Sequence, residues 1–149
     1  RELFEHAALL HDIGTFLSYS DHHVHSSYLI RHADLLGFDE NETATMAATA
    51  LFHRKASPGA RHPAFAELDR PTRKAVRLLS VLLRLAEYMD RSHAGAIAHA
   101  ALRADGPGTL VLEVRPAKDW HLESWRLESG REAIEKGLGR TLTVEALEP

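Results

Sequence analysis

Cysteine is absent from the 149 residues, which excludes disulfides and thiolate metal ligands and makes a cytoplasmic chain the expectation. Long apolar runs are absent too. Arg, Glu, Asp or His interrupts each run well before the ~20 residues that a membrane span requires, and no segment has the order of a signal peptide. The expectation is a soluble chain with no membrane partner. An excess of basic charge is also missing: the formal net charge is −3 with histidine neutral, which argues against a DNA- or RNA-binding module with a wholly basic surface. Aromatic residues are few, and Trp120 and Trp125 stand without a neighbouring basic run. Both are read as core of a small domain rather than as a base-stacking platform.

Histidine is the abundant exception. Eight of eleven histidines fall within residues 1–62, so the polar chemistry is concentrated in the first half of the chain. A hydrophobic fraction of 44% is enough to bury a core as one domain, or as one domain with a small appendage.

Periodicity predicts helices over the first ninety residues. Leu3, Ala7, Leu10 and Ile13 lie at helical spacing, with Gly14 as the C-terminal cap and His11 and Asp12 in the last turn. A second helix is expected from Asp21 to Leu36, ended by Gly37, with Val24, Leu29, Ala33 and Leu36 on its apolar face. A third, capped by Asp39 or Asn41, runs to Phe52. The loop around Ser57-Pro58-Gly59 then leads to a long, largely apolar helix with Pro71 in its first turn. On that helix Arg73, Arg77, Arg84 and Arg91 fall within about 40° of one another at ~100° per residue. Asp90 lies near its C-terminal end. Beyond residue 95 the alternation around Asp105-Gly106-Pro107-Gly108 predicts a hairpin, followed by a helix over Asp119–Lys136 and a last strand over Arg140–Leu147. The expected fold class is α+β and mainly α: a helical domain over 1–95, then a small β-β-α-β domain over 96–149.

The series Ala7-Ala8-Leu9-Leu10-His11-Asp12-Ile13-Gly14, His23-Val24-His25-Ser26-Ser27-Tyr28-Leu29-Ile30, Leu35-Leu36-Gly37-Phe38, Leu51-Phe52-His53-Arg54-Lys55, the Arg84 to Asp90 helix end, Asp119-Trp120 and Gly139-Arg140 is similar to the C-terminal half of exopolyphosphatase/guanosine pentaphosphate phosphatases. The resemblance covers nearly the whole chain. It implies an HD-type helical domain followed by a small mixed domain. It also implies that hydrolysis belongs to two N-terminal actin-like domains outside this sequence. The region would then serve regulation, polyphosphate binding and dimerisation. The partner it implies is polyphosphate or a guanosine polyphosphate, handled by the parent protein, with a homodimer as the assembly.

The wider HD superfamily implies a different activity, metal-dependent hydrolysis of nucleotides or other phosphoesters. His11 and Asp12 match its central pair, Asp90 its distant aspartate, and His25 and His53 its additional histidines. The implied cofactor is a divalent Mn, Mg, Fe or Zn. The pattern's first histidine is expected upstream of Arg1, since His6 lies about 140° around the helix from His11. Each candidate also has a plain structural role. The His11-Asp12 pair can close a helix end, Asp90 can pair with a neighbouring arginine, and His22 and His23 are read as exposed. Arg54, Lys55, Arg73, Arg77 and Arg84 are candidate phosphate contacts because guanidinium forks bind phosphate oxygens in pairs, yet an arginine stripe also suits a solvated helix face.

Overall fold

A computed structural model describes residues 2–54 and 57–148. The chain is mixed α+β and mainly helical, with one three-stranded sheet. It divides into two compact units, one ending at Leu83 and one beginning at Arg84. Among the described residues no helix is long and apolar enough to cross a membrane.

In the first unit, α1 spans Glu2–Leu10, α2 His22–His32, α3 Glu40–Phe52 and α4 Pro63–Ala66, and α5 begins at Arg70. The middle of this unit is α3. It starts at a capping box: the Glu42 N–H donates to Asp39 Oδ1 at 2.8 Å and the Asp39 N–H to Glu42 Oε2 at 3.0 Å. Nearly every residue from Thr43 to Phe52 is buried. Two apolar clusters use the helix, one through Ala7, Ile30, Met46, Ala47 and Ala50, the other through Ala48, Phe52, Phe65, Leu68 and Val76. The buried threonines fit because their hydroxyls are satisfied locally: Thr45 donates to the Asn41 carbonyl at 2.7 Å and Thr49 to that of Thr45 at 2.8 Å.

Several expected boundaries shift for tertiary reasons. Helix α1 stops at Leu10, so His11 and Asp12 lie in the turn beyond it, before a 3₁₀ turn over Ile13–Phe16. Gly14 is no left-handed cap, since its φ is not positive; its role is close packing, described below. Helix α2 ends at His32 because Ala33 turns extended, Leu35 packs on the core and Gly37 takes a φ of 91°. Leu36, read as apolar face, is 94% exposed.

Helix α5 runs over Arg70–Met89, through the boundary between the units. Asp69 accepts the Thr72 N–H at 2.7 Å, and the bonds from Thr72 hold its carboxyl below the usual carboxylate range. The second unit holds β1 (Ile97–Asp105), β2 (Thr109–Pro116), α6 (His121–Leu138) and β3 (Thr141–Ala146). β2 is central, antiparallel to β1 and parallel to β3. The parallel partner follows from the α6 crossover, which returns the chain to the same end of the sheet. Gly139, in the left-handed region, ends α6 by donating its N–H to the Glu135 carbonyl at 2.7 Å. Trp125, expected in the core, is 59% exposed. The interior of this unit is filled instead by Val111, Leu112, Val114, Leu127, Ile134 and Leu142.

Candidate functional site

Three elements of the first unit converge on a group of imidazoles around one carboxylate. The first is the turn after α1, which carries His11 and Asp12. It is brought against α2 by Gly14, whose N–H donates to Ser26 Oγ at 2.9 Å within the protein interior. The second is the start of α2, entered through Asp21 with φ 56° and ψ 27°, a left-handed conformation that aspartate tolerates better than most residues. His22 and His23 follow it directly, both buried. The third is the end of α3, where His53 is buried in the C-cap position and Arg54 emerges to the surface.

The ring orientations share a pattern. His11 and His53 each place Nδ1 2.6 Å from the carbonyl three residues earlier, Ala8 and Ala50, and His22 places Nδ1 3.1 Å from the Tyr19 carbonyl. A carbonyl can only accept, so each bond sets the proton on Nδ1 and leaves the Nε2 lone pair for the site. The rings lie close: centroids are 5.0 Å apart for His11 and His53 and 5.5 Å for His22 and His53. His23 stands 6.0 Å from His22 and 6.4 Å from His53. The Asp12 carboxylate sits among them, with Oδ1 3.0 Å from His22 Nε2 and Oδ2 3.5 Å from His11 Nε2.

The 3.0 Å contact lacks the alignment of a hydrogen bond: both Asp12 Oδ1 and His22 Nε2 are buried without a hydrogen-bond partner. Arg54 NH1 also lies 3.1 Å from His22 Nδ1, in competition with the Tyr19 carbonyl. The Nδ1–H form fits better, because an Nε2–H beside Asp12 would be expected to align with it. The Arg54 guanidinium meanwhile sits 5.5 Å from the Tyr19 ring centroid, an arrangement that holds a surface cation at the edge of the cluster.

Of the residues singled out from sequence, His11, Asp12 and His53 come together here. His25 lies on α2 beside Gly14 and joins no group of three or more candidate ligand atoms among the described residues. Asp90 belongs to the second unit, exposed, with Oδ2 3.5 Å from His93 Nδ1. Lys55 lies outside the described residues. Arg73 holds the end of α4, donating Nε–H to the Phe65 carbonyl at 3.1 Å and an NH2 hydrogen to that of Ala66. Arg77 lies over the Phe65 ring at 5.1 Å. Arg84 is buried in the second unit, and burial lowers its pKa from the usual guanidinium range. His22 and His23, read from sequence as exposed, are buried members of the cluster. The buried stripe of α2 comprises His22, Ser26 and Ile30, four residues apart, with His23 beside it. Its polarity conceals it from a hydrophobic-periodicity reading.

A helical unit that carries a His-Asp turn and a unit with β-β-α-β order make up a mixed α+β region. The chain belongs to the Ppx/GppA phosphatase family: the family "Ppx/GppA phosphatase, domain III" matches residues 1–130. It is also 36% identical over 47 residues to the guanosine-5'-triphosphate,3'-diphosphate pyrophosphatase of Pseudoalteromonas translucida (strain TAC 125), a stretch covering 32% of this chain. The match spans 10% of that relative's length.

Proposed function

We propose that this region holds the polyanionic substrate of a Ppx/GppA phosphatase and contributes to its dimerisation, while hydrolysis is carried out elsewhere in the parent protein. The observation that carries the reading is Arg54. Its guanidinium is exposed yet oriented by the Tyr19 ring, 5.5 Å from the ring centroid, and a pre-oriented fork loses less conformational entropy on gripping phosphate oxygens. Lys55 follows it in the chain. With a net charge of −3, long-range attraction to a polyanion is weak, so binding must rest on such local contacts.

The test is retardation of polyphosphate chains in a gel at several salt concentrations. Arg54→Ala is expected to weaken binding about tenfold, in line with loss of one charged hydrogen-bonded contact. The salt dependence should become shallower in the same variant. Equal retardation by both proteins would remove Arg54 from the reading, and no retardation by either would end it.

A second reading, metal-dependent phosphoester hydrolysis, is favoured by the carboxylate set among imidazoles. Phosphate release that requires added manganese and vanishes in Asp12→Ala would put it in place of the first.

A further inference from the structure

We infer that Asp12, His22 and His53 form a site for one divalent transition-metal ion, contained within the first unit. One donor atom from each of the three lies within 4.8 Å of the other two. Metal–ligand bonds of about 2.1 Å place neighbouring donors about 3.0 Å apart at right angles and about 3.4 Å apart in a tetrahedron. The separation of Asp12 Oδ1 from His22 Nε2 is 3.0 Å.

Three independent features point the same way. The first is chemical: two neutral imidazoles and one carboxylate are a common set for borderline divalent ions, and leave coordination positions open. The second is the orientation of the rings, since a ligating histidine usually donates its other ring N–H to a carbonyl or carboxylate. His22 and His53 both place Nδ1 against backbone carbonyls. The third is the 6% exposed His22 with its Nε2 beside Asp12 Oδ1, in contact but unaligned for a hydrogen bond. An ion bound to both atoms would supply the partner that each lacks.

The ligand set differs from that implied by the HD resemblance. His22 takes the place of His25, and the set closes without Asp90. His11 stands beside the carboxylate, with Nε2 3.5 Å from Oδ2, outside the set of three. Nitrogen donors disfavour magnesium and calcium, which prefer oxygen. The expected occupants are zinc, cobalt, iron or manganese, with affinity following the usual rise from manganese to zinc. The site does not depend on the polyphosphate reading, because it is assayed without any phosphate compound.

The chain stripped of metal by chelation is titrated with cobalt and with zinc, followed by calorimetry and by the visible absorption of bound cobalt. One equivalent is expected to bind, unaffected by excess magnesium. His22→Ala, His53→Ala and Asp12→Asn should each lower affinity at least a hundredfold, whereas His25→Ala should leave it unchanged. Where a variant fails to fold, the wild-type chain supplies the answer: substoichiometric manganese should broaden the ring-proton NMR signals of His22 and His53 far more than those of His25 and His32. Absence of stoichiometric binding, retention of affinity in His22→Ala, or broadening centred on His25 would each overturn the site.

Discussion

A Cβ placed on Gly14 would lie 2.3 Å from the His22 carbonyl oxygen and 2.4 Å from the Ser26 nitrogen. Both are backbone atoms, so neither can turn aside. Glycine is needed at this position for space, and its absence of a side chain is what lets the His11-Asp12 turn approach α2. Gly14→Ala is therefore expected to cost about 3 kcal/mol or more by forcing the turn off the helix. Ser26→Ala, which removes only the hydroxyl that accepts the Gly14 N–H, should cost about 1 kcal/mol. Urea unfolding of the two variants checks the difference, and equal midpoints would show that the packing is looser than these distances require. The same residue illustrates what can be read from sequence. A glycine after an apolar helical run reads naturally as a cap, because close approach of a second helix leaves no mark in the local pattern. His11, Asp12 and His53 were legible through an ordered series of motifs. His22 was not, because its direction depends on the left-handed Asp21 and on the Gly14 contact, both of them tertiary outcomes.

At the scale of elements, Gly130 looks like a weakness in α6, since glycine disfavours a helix interior by about 1 kcal/mol relative to alanine. The structure supplies its reason. A Cβ there would come within 2.2 Å of the Tyr88 ring, and that ring is buried, with the Arg126 guanidinium 4.0 Å from its centroid on one side. Two effects of opposite sign meet in Gly130→Ala: the gain in helix propensity, and overpacking that typically costs about 1–3 kcal/mol. Since Tyr88 is confined, overpacking should prevail and the melting temperature should fall. A rise would mean that the ring swings away freely. The positions of α5 and of the hairpin were well anticipated, the first by its long helical spacing and the second by the Asp105-Gly106-Pro107-Gly108 turn. Helix α3, buried on nearly all sides, and α2, whose buried stripe is polar, gave weaker signals. Their surroundings, rather than their own patterns, determine which residues face inward.

For the whole molecule, the distribution of exposed apolar side chains bears on assembly. Leu9 is 81% exposed and Phe16 89%, and Ile13, Leu17 and Tyr19 are exposed beside them in sequence. Scattered surface leucines are ordinary, but five large apolar residues exposed within eleven positions are a feature usually covered by another protein surface. Within the proposed function, the occupant of that surface is a second copy of the chain. A stable dimer typically buries about 1,200–2,000 Å², and large apolar anchors such as Phe16 carry a disproportionate share of the binding energy. Sedimentation velocity over a range of concentrations should therefore show a dimer whose dissociation midpoint moves at least tenfold in Phe16→Asp, where a charge would have to be buried at the contact. The variant should keep the wild-type unfolding midpoint measured at concentrations where both proteins are monomeric, because Phe16 makes little contact within its own chain. A wild-type chain that remains monomeric at every concentration would remove dimerisation from the proposal and reassign this surface to other parts of the parent protein.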